Sequence, residues 1–192
     1  MAAAFAISPA IDLIDVSRRI VLTGLTAGAE VTIAAETPRD GHLWRAQAVF
    51  AAGADGSIDL ERDAPLRGDY AGVAAMGLVW AQTGEGELFP AELSRPLETT
   101  LTAEIGGETI ASGQFSQILM AEGVTRHPLA EDGLVGTLFL PAGAGPYPAI
   151  MILNGSGGGI NEPRASLWAS RGVAALALGY FGAPGLPKYI SN

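Results

Sequence analysis

The reading of this chain turns on Tyr147-Pro148-Ala149-Ile150-Met151-Ile152-Leu153-Asn154-Gly155-Ser156-Gly157-Gly158-Gly159. Ala149 to Leu153 is an unbroken apolar run, too short for a free-standing helix and bounded by a proline and a glycine cluster. It predicts a strand buried on both faces. A helical pattern follows, with Pro163 at its start, Ala165, Leu167, Trp168 and Ala169 along it, and Gly172 as its stop. A second apolar run, Val173 to Leu178, comes directly after. Strand, helix and strand at this spacing predict a βαβ unit with parallel strands and a right-handed crossover. Backbone N–H groups between a strand and a helix can hold an anion or an oxyanion.

Before that unit, Glu122–Leu129 and Leu134–Leu140 read as strands joined by the turn signal Glu131-Asp132-Gly133. Pro141 to Pro148 reads as a rigid loop, and Gly179 to Asn192 as a loop rich in proline and glycine. A sheet with one crossover helix leaves an apolar face uncovered, which isolated domains avoid. Residues 121–192 therefore read as the first part of a larger α/β domain. The open face is also where a second copy of the chain could pack, so a homo-oligomer is an expected alternative.

Residues 1–120 read differently. From Ile20 to about Leu119 the apolar residues recur with period two: Ile20 and Leu22, Val31 to Ala35, Trp44 to Phe50, Ile58 and Leu60, Leu97 to Ile105, Ile110 to Leu119. Asp40-Gly41, Asp55-Gly56 and Gly106-Gly107 supply the positive φ of tight hairpins. Short strands with regular punctuation predict an antiparallel β-sandwich. Met76 to Trp80 reads as a central strand, and residues 63–77 as an irregular loop whose Arg67-Gly68-Asp69 tripeptide is a chance match. The three tryptophans read as core, and Asp59 to Asp63 as an exposed strand end.

Composition narrows the function. The chain has 192 residues, a net charge of −9 and no cysteine. Acidity argues against nucleic acid as a partner. Disulfides and thiolate metal sites are excluded, and the two histidines, His42 and His127, are far apart. Met1 to Ala10 lacks the basic start of a signal peptide, and no apolar run approaches the ~20 residues of a membrane span. A cytoplasmic protein is the expectation.

The candidate site is Gly155, Ser156 and Gly157. Four glycines in the five positions 155–159 exceed what a turn requires. Their amides would stabilise an oxyanion developing on a reacting carbonyl. Ser156 is not read as a nucleophile, because Asn154 stands where the elbow motif G-x-S-x-G has its first glycine. A dinucleotide fingerprint fails at Ile160, and the lysine-serine pair of a P-loop is missing. Glu162 and Arg164 read as a solvated first helical turn.

Taken in order, the residues resemble the acyl-CoA thioesterase and bile acid-CoA:amino acid N-acyltransferase family. The matching stretches are Asp59-Leu60-Glu61-Arg62-Asp63-Ala64-Pro65, Gly72 and Met76-Gly77-Leu78-Val79-Trp80. Beyond them come Val135-Gly136-Thr137-Leu138-Phe139-Leu140-Pro141, Gly145-Pro146-Tyr147-Pro148, the glycine loop, Arg164-Ala165-Ser166-Leu167 and Ala175-Leu176-Ala177-Leu178, with Tyr180 and Leu186-Pro187-Lys188. The resemblance implies an immunoglobulin-like β-sandwich over 1–120 and the truncated start of an α/β-hydrolase domain over 121–192. It implies acyl-CoA as substrate, hydrolysed to a fatty acid and coenzyme A, with no separate cofactor. Family members use Ser or Cys on an elbow, then Asp and His. None of these is matched in the 192 residues, so the chain alone is expected to be inactive. Only the glycine loop carries over, as the oxyanion-hole segment. Transfer to an amino acid amine, or a non-catalytic binding module, are the alternatives.

Overall fold

The structure, a computed structural model, describes residues 2–90, 92–131 and 133–189. The fold is mostly β-sheet, and the chain divides into two compact units, Met1–Ile118 and Leu119–Asn192.

The first unit contains β1 (Ala4–Ser8), β2 (Ile11–Leu13), β3 (Arg19–Thr23), β4 (Glu30–Arg39), β5 (His42–Ala51), β6 (Ile58–Asp59), β7 (Arg67–Gly68), the one-turn helix α1 (Gly77–Trp80), β8 (Leu97–Ile105) and β9 (Glu108–Ile118). They form a three-stranded sheet, β1-β3-β6, and a six-stranded sheet, β2-β9-β8-β4-β5-β7. Alternation decides what lies between the sheets. Ile20, Leu22 and Ile58 of the small sheet meet Val31, Ile33, Phe50, Leu101 and Phe115 of the large one in a single core. Two sheets enclosing one core is the arrangement of a β-sandwich. Asp40 and Gly41 both take positive φ between β4 and β5, as do Gly106 and Gly107 between β8 and β9.

Four local expectations change here. Met76 to Trp80 is not a strand: Trp80 N donates to Met76 O at 3.0 Å and Ala81 N to Gly77 O at 3.0 Å. A five-residue apolar run does not distinguish strand from helix. A Cβ at Gly77 would overlap the Tyr70 ring, so the turn winds tightly against that side chain. Asp55-Gly56 makes no hairpin within a sheet; it carries the chain from β5 in the large sheet to β6 in the small one. Asp59 to Asp63 is exposed only in part: Glu61 and Arg62 are exposed, but Asp59 is buried and receives Arg19 at 2.9 Å while its own N–H bonds Asp63. The tryptophans are not core: Trp80 is 74% exposed, Trp168 is exposed, and Trp44 is half-buried.

Arg18 is fully buried in this unit. Its guanidinium donates to the carbonyls of Leu13 (2.8 Å), Asp12 (2.7 Å), Ser116 (2.8 Å) and Val16. One side chain thus satisfies four carbonyls where β2 leaves β9 and the chain enters β3. Burial lowers the Arg18 pKa from its usual value, and Asp12 and Asp15 pull against that.

The second unit contains β10 (Thr125–Glu131), β11 (Leu134–Leu140), β12 (Ala149–Leu153), α2 (Glu162–Ala169) and β13 (Ala174–Gly179). The sheet order is β10-β11-β13-β12, antiparallel except for the parallel pair β12–β13. Asp132, in the expected hairpin turn, and residues 190–192, in the expected final loop, lie outside the described residues. β12 is an edge strand, not one buried on both faces: Met151 is 57% exposed and Leu153 51%. β13 takes the central place, with Ala175 and Ala177 buried. Helix α2 packs on β13 and β11. Ser166 on α2 donates to Leu119 O, and Ser170 accepts from Ala121 N, so the helix also holds the start of the unit.

Candidate functional site

The glycine loop joins β12 to α2, and the helix begins sharply. Asn161 caps it by accepting from Arg164 N at 3.3 Å, and Pro163 lies in the first turn. Glu162 is not a solvated residue: Arg126 binds it through two nitrogens at 2.7 and 2.6 Å, and the Thr137 hydroxyl donates to it at 2.7 Å. Burial pushes its carboxyl up, but the bonds from Arg126 and Thr137 outweigh that and hold it below the usual carboxylate range. Glu162 thereby fixes the helix start to β10 and β11. Arg164 is exposed.

Within the loop the amides divide into two sets. Gly158 N donates to Gly155 O at 3.0 Å and Gly159 N to Phe181 O at 2.8 Å. Asn154 holds both ends of the turn, donating from its side chain to Gly158 O at 2.5 Å and accepting from Gly155 N at 3.1 Å. Tyr180 Oη donates to Asn154 O at 2.8 Å. Among the described residues, Ser156 N and Gly157 N have no acceptor. Of the three expected donors, Gly155 is thus engaged by its neighbour's side chain, while Ser156 and Gly157 are free. All three residues are exposed.

The glycines divide in the same way. Gly158 and Gly159 sit at φ +66° and +81°, where other residues are strained, and a Cβ at Gly158 would lie 2.8 Å from Phe181 O. The fold requires glycine there. Gly155 and Gly157 have φ outside the left-handed region, and a Cβ at either position would meet nothing within 4 Å. Of the chain's 26 glycines, they alone combine an ordinary φ with no neighbour among the described residues. Nothing within the fold calls for glycine at either position, and they flank Ser156.

The sequence pointed to this loop but not to its supports. Asn154, Tyr180 and Phe181 hold it, and no spacing rule connects Tyr180 and Phe181 to a loop more than twenty residues earlier. Among the described residues, no helix is long and apolar enough to cross a membrane.

Comparison with known proteins agrees with the pattern of residues. The family model described as acyl-CoA thioester hydrolase/BAAT N-terminal region matches residues 15–131. Acyl-coenzyme A thioesterase 1 of Rattus norvegicus is 38% identical over 179 residues, covering 88% of this chain and 42% of the relative. Acyl-coenzyme A thioesterase 2, mitochondrial, of Mus musculus is 37% identical over 183 residues, covering 90% and 40%. The human protein of that name is 36% identical over 180 residues, covering 88% and 37%. This chain spans about two-fifths of the length of the curated relatives it matches. The family model covers more than half of the chain, and the chain belongs to the acyl-CoA thioester hydrolase/BAAT N-terminal region family.

Proposed function

We propose that these residues belong to an acyl-CoA thioester hydrolase. Residues 1–120 supply an immunoglobulin-like sandwich, and residues 121–192 open an α/β-hydrolase catalytic domain. Within residues 1–192 there is no G-x-S-x-G frame and no cysteine, so the nucleophile and its Asp and His partners are assigned elsewhere in the protein. The nucleophile attacks the thioester carbonyl, and the carbonyl oxygen takes the negative charge. Coenzyme A leaves as its thiol, an acyl-enzyme remains, and water releases the fatty acid.

In this reading Ser156 N and Gly157 N face the developing oxyanion. The observation that carries it is the pair Gly155 and Gly157, glycines with neither strain nor crowding, beside two amides with no acceptor. Missing side chains that the fold does not need are explained by close approach of something from outside. The loop follows the third strand of its unit and precedes α2, where an α/β-hydrolase places one oxyanion donor. The names of the relatives supply the substrate class.

Thiol release and intact mass test the proposal. The whole protein should liberate coenzyme A from acyl-CoA and form a transient acyl-enzyme, while residues 1–192 alone should do neither. Turnover with a covalent intermediate in residues 1–192 would overturn the assignment. Release of an N-acyl amino acid in place of free fatty acid, when an amino acid is supplied, would change the acceptor from water to an amine.

A further inference from the structure

The first unit contains a cavity of about 360 Å³, within the range of small-molecule sites. Its apolar wall is formed by Val16, Met76, Val79, Trp80, Leu88 and Phe89. Three of these are unusually open for their size: Trp80 at 74%, Leu88 at 51% and Phe89 at 39%. Large apolar side chains gathered around a hollow mark a surface that a ligand would cover.

Arg39 also lines the cavity and is 93% buried. Its Nη1 donates to Leu88 O at 2.9 Å and its Nη2 to Gln82 Oε1 at 3.1 Å, and the guanidinium lies 4.6 Å from the centre of the Trp44 ring. Gln82 is fixed in turn, donating to Thr37 Oγ1 at 2.9 Å, and Thr37 meets Thr99 at 2.7 Å. The head group is therefore held in place, but its charge is not balanced. Among the described residues, no carboxylate lies within ion-pair distance of Arg39, and its Nε has no hydrogen-bond partner. Arg18, also buried and also with an unpartnered Nε, differs in its surroundings: its two Nη groups donate to four carbonyls, and Asp12 and Asp15 are nearby. Asp15 is also on the cavity wall, and its charge favours the charged form of Arg18. A buried guanidinium with donors to spare and no counter-charge favours an incoming anion.

The geometry points to a binding site for an anionic amphiphile: a carboxylate held by Arg39, with its alkyl tail among Val16, Met76, Val79, Trp80, Leu88 and Phe89. Carboxylate and apolar tail are both required, because the cavity offers one fixed cation and an otherwise largely apolar wall. The site lies wholly in the first unit and would stand even if the glycine loop had no catalytic role.

Titration calorimetry of residues 1–192 with decanoate and with decanol, each below its aggregation limit, tests this. Decanoate should bind saturably at one site, about tenfold or more tighter than decanol. Arg39→Gln should bring decanoate to the level of decanol and leave decanol unchanged. Tryptophan fluorescence should respond to decanoate, and Trp80→Phe should reduce that response, the remainder coming from Trp44 beside Arg39. Absence of saturable decanoate binding, equal affinity for the two ligands, or an undiminished preference in Arg39→Gln would each overturn the site. Should Arg39→Gln fail to fold, the comparison of the two ligands on the unaltered chain decides alone.

Discussion

A glycine-to-alanine series through the loop separates residues that the fold needs from those it does not. Gly158→Ala places a Cβ in the left-handed region, which costs about 1–2 kcal/mol. That carbon would also lie 2.8 Å from Phe181 O, a backbone atom held by its bond from Gly159 N, and 2.8 Å from the Phe181 ring. Overpacking of this kind adds about 1–3 kcal/mol, for a total of roughly 2–5 kcal/mol. Gly159→Ala meets nothing nearer than 3.9 Å and should lose only the backbone part, about 1–2 kcal/mol. Gly155→Ala and Gly157→Ala, with ordinary φ and open space, should change stability by less than about 0.5 kcal/mol. Urea unfolding of the four variants, with amide exchange at Gly159 as the local readout, gives the order 158 > 159 > 155 ≈ 157. A Gly155→Ala or Gly157→Ala variant as unstable as Gly158→Ala would refute the division, and with it the argument that two of the glycines exist for a ligand.

Other outcomes follow from individual side chains. Glu162→Gln should destabilise the second unit by about 0.5–1 kcal/mol, modest because Arg126 is partly exposed. Since the folded carboxyl is held below its ordinary value, the stability it contributes is present above about pH 4.3 and lost as pH falls through the folded value, a dependence that Glu162→Gln should remove in acid titrations followed by circular dichroism. Tyr70 has a buried hydroxyl without a partner among the described residues, and burial pushes its pKa up to about 12. Tyr70→Phe should therefore be neutral or stabilising by up to about 1 kcal/mol in thermal melts, and the unaltered chain should lose stability between about pH 10 and 12, because folding then opposes ionisation. Arg18→Met should cost about 3–5 kcal/mol by denaturant titration, since it strands four buried carbonyls at the β2–β3 junction.

Much of the architecture is legible in the sequence, because one buried face imposes period two and hairpins demand glycine at fixed places. Ile20, Leu22, Val31, Ile33 and Phe50 all point inward as their spacing requires. The parallel pair β12–β13 likewise follows from strand, helix and strand at short spacing. The failures have a common cause. Met76–Trp80 and Ala149–Leu153 are uniformly apolar, so they carry no period to reveal a helix in one case or an exposed edge in the other. Met151 and Leu153 alternate with the more buried Ile150 and Ile152, so their exposure depends on which face of the sheet is covered, a property of the sheet and not of the run. β1 and β2 lie before Ile20, where short segments with half-buried faces leave a weak pattern. The glycine loop was visible by composition. The division of its glycines was not, because φ and crowding depend on Phe181 and Gly182, more than twenty residues away.

The oxyanion assignment is tested most directly by removing the two free amides without removing a side chain that reacts. In the whole protein carrying its nucleophile, Ser156→Pro and Gly157→Pro each delete one N–H from the loop. Single-turnover hydrolysis of acyl-CoA should slow by about 10²–10³-fold in at least one of them, with substrate affinity little changed and the fold intact by circular dichroism. Folded variants that both keep the unaltered single-turnover rate would contradict the account.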